Sequence, residues 1–111
     1  MKDGEAVGPF CVMGGYMQPQ GHVQVAMNLI DFNLNPQMAL DSPRWQWVEK
    51  KKFMVEKNFP SHLVRAFEEK GHEVTISNCI GSFGRGQIII KKGETLFGGT
   101  ESRADGTIAL Y

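Results

Sequence analysis

The sequence has little of several features that define whole classes of protein. Its 12 lysines and arginines balance its 12 aspartates and glutamates, so charge gives no reason to expect nucleic acid or an anionic membrane as a partner. No apolar run approaches the roughly 20 residues that a membrane-spanning helix needs. No basic-then-apolar leader opens the chain, so no signal peptide is predicted within it. The sequence does not decide between the cytoplasm and the periplasm or exterior of the cell.

Residues that carry chemistry are also scarce and scattered. The two cysteines, Cys11 and Cys79, stand alone rather than in a metal-spaced or redox pair, and we expect both to be buried as small apolar residues. No Gly-x-Ser-x-Gly turn presents a serine nucleophile. Three histidines occur, His22, His62 and His72, and none has a second ligand at metal spacing. The sequence therefore predicts neither a metal nor a cofactor.

The chain does have the composition of folded protein. Its 111 residues are 41% hydrophobic and 22% charged, which predicts a single domain or fragment over residues 1–111. Helical patterns begin at Gln18, Pro36 and Pro60, and a glycine-rich loop over 78–86 precedes a strand rather than the helix of a phosphate loop. Strands are predicted over 9–13, 45–48, 53–56, 73–77, 87–91, 95–98 and 107–111. The fold class is therefore α+β, with two to three helices and mainly antiparallel strands.

The sequence is organised around Val12–His22. There an apolar run meets the pair Gly14-Gly15, and a helical pattern opens at Gln18. A glycine pair between a strand and a helix lets the backbone approach a ligand closely and leaves N–H groups free to face negative charge. For His22 we favour a hydrogen bond that holds this turn over a catalytic role, because no nucleophile partner is visible.

The helix that follows the glycine pair is apolar around most of its girth. This pattern predicts a helix that is mostly buried against a sheet, with only a narrow polar line. The apolar stripe consists of Val23, Ala26, Met27 and Ile30, and it is widened by Val25, Leu29 and Phe32. The polar line consists of Gln24, Asn28 and Asp31.

Three segments resemble those of a known family in their amino-acid sequence and in their order along the chain. Met13–Val25 and Asn28–Arg44 resemble the C-terminal part of the small subunit of gamma-glutamyltranspeptidases, and Gly98–Gly106 is similar to that family's closing signature. Together they cover nearly the whole chain. The resemblance implies an N-terminal nucleophile hydrolase, in which this chain is the C-terminal part of an αββα sandwich.

The resemblance also implies roles for individual residues. In this family an N-terminal threonine attacks the gamma-glutamyl amide of glutathione, and backbone N–H groups of a glycine pair stabilise the oxyanion. The family's pair corresponds to Gly14 and Gly15, and Tyr16 becomes a candidate for the substrate pocket. Tyr16 departs from the small or polar residue that the family often has there, which puts the acyl group accepted in doubt. Structural residues near the site are His22, Arg44 and Arg103.

The resemblance implies that the catalytic threonine and the residues that bind the glutamyl group lie upstream, outside these 111 residues. We therefore expect the isolated chain to be inactive. The expected partners are the rest of the enzyme, namely the large subunit and the N-terminal part of the small subunit, together with a gamma-glutamyl small-molecule substrate. Self-association of the isolated chain is a further expectation.

Two other functions stay open at this point. One is a beta-lactam (cephalosporin) acylase or other amidase on the same scaffold. The other is a non-catalytic α+β module that self-associates or binds a partner.

Overall fold

The computed structural model describes residues 1–109, and within them helices and strands alternate along the chain. The helices are α1 (Gln18–Ile30), α2 (Pro36–Asp41) and α3 (Ser61–Glu69). The strands are β1 (Phe10–Met13), β2 (Trp45–Glu49), β3 (Lys52–Glu56), β4 (Glu73–Ser77), β5 (Arg85–Lys92) and β6 (Thr95–Thr100). This architecture confirms the predicted α+β class.

The strands form two sheets of three strands each. In the first sheet β5 lies between β1 and β6, and both pairings are antiparallel. In the second sheet β3 lies between β2 and β4. The β2–β3 pairing is an antiparallel hairpin, whereas β3 and β4 run parallel. The parallel pair follows from α3, which crosses over between β3 and β4, since parallel neighbours need such a connection.

The hydrophobic core lies where α1 and α2 pack on the first sheet. It consists of Val12, Val25, Ala39, Leu40 and Ile88, which are all buried. Ile88 belongs to the middle strand β5, as its strongly apolar run predicts. The core therefore lies directly beneath the end of β1, from which the glycine pair continues.

The prediction that α1 is mostly buried is wrong for its apolar stripe, although Val25, which widens that stripe, is fully buried in the core. Val23, Met27 and Ile30 are 56%, 43% and 77% exposed, whereas Gln24 is buried. The amide of Gln24 donates to the Trp45 carbonyl at 2.8 Å and accepts from the Trp45 N–H at 3.1 Å. The helix thus turns Gln24 toward the protein, because its amide satisfies backbone groups on the outer edge of β2, whereas Asp31 of the same polar line is exposed.

Gln20 repeats this arrangement one turn earlier in α1. Its amide donates to the Trp47 carbonyl at 3.0 Å and accepts from the Trp47 N–H at 2.7 Å. Two glutamines four residues apart therefore pair with alternate residues of β2, much as a neighbouring strand would. These contacts connect α1, and the turn that begins it, to the second sheet.

The start of α2 confirms its predicted cap. Asn35 precedes Pro36, and its side-chain oxygen accepts from the Met38 N–H at 2.9 Å.

Several other expectations meet a different outcome. Cys11 and Cys79 are both exposed free thiols, so their predicted burial is wrong. Residues 107–109 of the last predicted strand are irregular, and Leu110 and Tyr111 lie outside the described residues. Among residues 1–109, no helix is long and apolar enough to cross a membrane.

Candidate active site

The glycine pair forms a tight turn that leads directly into α1. Gly14 has φ 155° and Gly15 has φ 58°, conformations that favour glycine. A 3-10 turn over Gly15–Met17 runs on into α1, closed by the Met17 N–H, which donates to the Gly14 carbonyl at 3.0 Å. At such a start the first N–H groups have no acceptor within the helix. None of the hydrogen bonds within residues 1–109 uses the N–H of Gly14 or Gly15.

The turn is held by close backbone packing. A Cβ built on Gly14 would lie 2.8 Å from the Cα of Gly84, which belongs to the loop before β5. A Cβ on Gly84, where φ is 77°, would lie 2.6 Å from the Met13 carbonyl oxygen. Because neither contact involves a flexible side chain, the two glycine segments can approach this closely only without side chains. The direction of the free N–H groups is therefore tied to the position of the Gly84 loop.

His22 bridges β1 and α1 across the turn. Its Nε2 accepts from the Val12 N–H at 3.3 Å, and its Nδ1 lies 2.7 Å from the Gln18 carbonyl oxygen. A carbonyl only accepts and an N–H only donates, so these partners require the neutral ring with its proton on Nδ1. The Phe10 ring packs beside it, with the ring centroids 5.7 Å apart. Both ring nitrogens are thus engaged by the backbone of the turn.

Arg44 is buried behind the Gly84 loop. Its Nη1 donates to the carbonyls of Phe83 and Gly84 at 3.0 and 3.1 Å. Its Nη2 donates to Oε2 of Glu101 at 2.8 Å and to the Leu40 carbonyl at 3.3 Å. Arg44 therefore fixes the loop that packs against Gly14, although it is 30 residues from Gly14 along the chain.

Arg103 and Glu56 complete a buried group of four charges with Arg44 and Glu101. Arg103 binds Glu56 at 2.5 Å and Oε1 of Glu101 at 2.7 Å. Burial acts to lower the pKa of Arg103, but hydrogen bonds and charges from Glu56 and Glu101 outweigh it and hold that pKa above its usual value. Two cations and two anions make this group neutral, which is how buried charges are tolerated.

The predicted site residues fall into two adjoining groups. Gly14, Gly15, Tyr16 and His22 lie together at the start of α1, whereas Arg44 and Arg103 lie in the charge group behind the Gly84 loop. The Tyr16 side chain is 97% exposed. Two surface depressions of the described residues, one beside Val7 and Ile90 and one beside Glu56 and Arg103, do not include it.

Sequence reasoning missed the partners that hold these groups in place. Glu56 was predicted only as the end of a strand, and Glu101 only lay within the segment Gly98–Gly106 that resembles the closing signature of the family. The glycine spacing of residues 81–86 was a signal for the close approach of Gly84, but it was interpreted only as a loop. Within residues 1–109, no cluster of His, Cys, Asp and Glu is arranged to hold a metal.

Comparison with solved structures defines the class of the fold. A gamma-glutamyltranspeptidase from Pseudomonas nitroreducens matches with a TM-score of 0.87 at 18% identity, over 100% of this chain and 58% of that chain. Cephalosporin acylase from Bacillus halodurans matches with a TM-score of 0.96 at 52% identity, over 100% of this chain and 21% of that chain. The fold is therefore that of the N-terminal nucleophile hydrolases to which these enzymes belong, as predicted.

The sequence comparison then identifies the family. The family model described as Gamma-glutamyltranspeptidase matches residues 1–111, and the chain belongs to this family. The glutathione hydrolase-like YwrD proenzyme of Bacillus subtilis is 29% identical over 100 residues, which cover 84% of this chain and 19% of that protein. The chain thus spans about a fifth of the length of this relative and of the Bacillus halodurans acylase.

Proposed function

We propose that this chain is the C-terminal part of the small subunit of a gamma-glutamyltranspeptidase-like enzyme, and that it supplies the oxyanion-binding N–H groups of Gly14 and Gly15. One observation carries the proposal. Two adjacent N–H groups at the start of a helix have no acceptor within residues 1–109 and are held by close backbone packing.

The arrangement suits the chemistry of amide hydrolysis. When a threonine hydroxyl attacks the carbonyl carbon of a gamma-glutamyl amide, the carbonyl oxygen gains negative charge while the amine becomes the leaving group. Fixed N–H donors stabilise that charge without reorganising, and loss of one such donor costs about 10²–10³ in kcat. The positive end of α1 adds to the stabilisation, since only the 3-10 turn over Gly15–Met17 separates Gly14 from the start of α1. The proposed role of Gly14 and Gly15 is therefore electrostatic.

A proline at Gly15 tests this role in the full-length enzyme. Proline has no N–H and fixes φ near −65°, whereas Gly15 has φ 58°. We expect Gly15→Pro to lower kcat by about 10²-fold or more. Gly15→Ala is the matched control, because it keeps the N–H and its Cβ would meet nothing within 4 Å among the described residues. Unchanged turnover of a folded Gly15→Pro enzyme contradicts the assignment.

The isolated chain is proposed to be inactive, because the nucleophilic threonine is expected outside these 111 residues. The measurement is the release of a chromogenic amine from a gamma-glutamyl substrate. Full-length enzyme is the positive control. Release above background by the isolated chain contradicts this part of the proposal.

A cephalosporin acylase-like activity is the second candidate. It is favoured by the 52% identity to the Bacillus halodurans acylase, against 18% to the Pseudomonas nitroreducens transpeptidase. A glutaryl amide differs from a gamma-glutamyl amide by the α-amino group alone. A site that binds this group rejects the analogue lacking it by about 10⁴-fold in kcat/KM. We expect the gamma-glutamyl amide to be preferred, and preference for the glutaryl amide establishes the acylase instead.

The exposed apolar residues around the turn are proposed to contact the rest of the enzyme. Met13 is 59% exposed, and with Val23 and Ile30 it leaves apolar surface on β1 and α1. We expect the isolated chain to self-associate through this surface, with a weight-average mass that rises with concentration in sedimentation. A monomer at every concentration contradicts this expectation.

A further inference from the structure

We propose that Arg44 is a positioning residue for the oxyanion turn, acting on Gly14 through the Gly84 loop. The inference rests on the proposed function, since it concerns the geometry of the same N–H groups. Within residues 1–109, none of the hydrogen bonds of Arg44 goes to the turn itself. It binds the Phe83 and Gly84 carbonyls, and Gly84 packs on Gly14.

The contact between Gly84 and the turn allows little freedom. The Cβ position of Gly14 lies 2.8 Å from the Gly84 Cα, and that of Gly84 lies 2.6 Å from the Met13 carbonyl oxygen. Met13 is also paired with Arg85 in the antiparallel register of β1 and β5. Movement of Gly84 toward the turn therefore displaces Met13 and Gly14, whereas movement away leaves Gly14 unsupported.

Two buried charges hold the loop on either side of this contact. Arg44 binds the carbonyls of Phe83 and Gly84, while Oε2 of Glu101 accepts from the Gly86 N–H at 2.8 Å. The same Oε2 accepts from Nη2 of Arg44 at 2.8 Å. The Arg44–Glu101 ion pair thus binds the backbone on both sides of Arg85 and ties the loop to the charge group.

The site requires the guanidinium group specifically. The two terminal nitrogens of Arg44 meet four acceptors, namely the carbonyls of Phe83, Gly84 and Leu40 and the Glu101 carboxylate. A planar guanidinium directs its N–H groups to all four at once, whereas a lysine ammonium has one nitrogen and three donors. Lysine would keep the charge opposite Glu101 but could not hold both loop carbonyls in the same geometry.

The test compares variants of the full-length enzyme. Arg44→Lys removes hydrogen bonds to the Phe83 and Gly84 carbonyls. Gly84→Ala adds a Cβ that would lie 2.6 Å from the Met13 carbonyl oxygen. The matched control is Gly71→Ala. Gly71 has φ 82°, close to the 77° of Gly84, but its Cβ would meet only the flexible end of Lys51 at 3.6 Å.

We expect Arg44→Lys and Gly84→Ala each to lower kcat by about 10²-fold, as a displacement near 1 Å can do, with KM unchanged. Gly71→Ala keeps its kcat. Turnover is expressed per active site titrated in the acylation burst, because a merely structural defect lowers the number of active sites and leaves kcat per site unchanged. If Arg44→Lys does not fold, Gly84→Ala decides the question.

Wild-type kcat per site in both folded variants, or in folded Gly84→Ala alone, overturns the positioning role. A variant with fewer active sites but unchanged kcat per site also overturns the positioning role. Gly15→Pro in the same series separates this failure from failure of the proposed function. If Gly15→Pro abolishes turnover while Arg44→Lys and Gly84→Ala do not, the oxyanion assignment stands and the positioning role is wrong. If Gly15→Pro is fully active, the proposed function itself is wrong.

Discussion

Replacing Gly14 with alanine is the most direct perturbation of the turn that keeps both N–H groups. Gly14 has φ 155°, a conformation that alanine rarely adopts, and its new Cβ would lie 2.8 Å from the Gly84 Cα. The same Cβ would lie 3.4 Å from the Gly84 nitrogen and 3.4 Å from the Met17 Cβ. The methyl group therefore contacts backbone atoms and the Met17 Cβ, and no side-chain rotation can relieve these contacts.

The size of the effect follows from this geometry. Carbon atoms in contact lie about 3.5–4.0 Å apart, so the Gly14 and Gly84 segments must separate by about 0.7 Å or more. An unfavourable backbone conformation adds a cost of about 1–3 kcal/mol in the free energy of unfolding. A displacement near 1 Å in an active site can cost about 10²-fold in rate. We therefore expect Gly14→Ala to lower kcat about 10²-fold in the full-length enzyme.

Gly93→Ala is the control for backbone strain alone. Gly93 has φ 60° in the turn between β5 and β6, and its Cβ would meet nothing within 4 Å among the described residues. It should cost about 1–2 kcal/mol of stability and leave kcat unchanged. Steady-state kinetics measure kcat of both variants, and thermal unfolding measures their stability. Wild-type kcat in folded Gly14→Ala, or an equal loss of kcat in Gly93→Ala, contradicts a role for the Gly14–Gly84 contact in catalysis.

Three further predictions concern stability and reactivity away from the turn. Asn35→Ala should cost about 0.5–2 kcal/mol in the free energy of unfolding through loss of the α2 cap, whereas Asn35→Asp, which keeps the acceptor, should cost less; equal losses in denaturant unfolding contradict the cap. Leu40→Ala should cost about 2–5 kcal/mol in the same assay, because Leu40 is fully buried in the core, and a smaller loss contradicts its central position. Hydrogen bonds from the Ser82 side chain, and then from the Gly81 and Ser82 N–H groups, hold the pKa of Cys79 below its usual value, so the thiolate persists to lower pH. Alkylation of Cys79 in a Cys11→Ala background should therefore begin at lower pH than in the same protein carrying Ser82→Ala, and identical pH profiles contradict this cause.

Local signals in the sequence were sufficient to predict most elements and the turn. Glycine and proline mark boundaries by their own backbone geometry, so the start of α1 after Gly14-Gly15 and the cap at Asn35 were both predictable. The apolar run over 87–91 likewise predicted an interior strand, which β5 is. The family was also recognisable, because the segments that resemble it, Met13–Val25 and Asn28–Arg44, contain these boundaries.

The orientation of α1 could not be predicted from periodicity. Its apolar stripe suggested a buried helix, but Val23 and Ile30 are exposed and Gln24 is buried. The decisive factor is the unpaired edge of β2, whose N–H and C=O groups are satisfied by Gln20 and Gln24. Such an edge appears only when the sheet is assembled.

The buried charge group of Arg44, Arg103, Glu56 and Glu101 could not be predicted from the sequence either. Arg44 and Glu101 are 57 residues apart in sequence, and Glu56 and Arg103 are 47 apart. No spacing rule connects residues at such distances. Pattern reasoning therefore identified the arginines through family resemblance but not the carboxylates that bind them.

The proposed function depends most on where the N–H groups of Gly14 and Gly15 point during the reaction. The decisive measurement is a crystal structure of the full-length enzyme with a boronic acid analogue of a gamma-glutamyl amide bound to its nucleophile. We expect one tetrahedral oxygen to lie about 2.7–3.1 Å from both amide nitrogens. An oxygen beyond about 3.6 Å from both, with its negative charge stabilised by other groups, would contradict the proposed function.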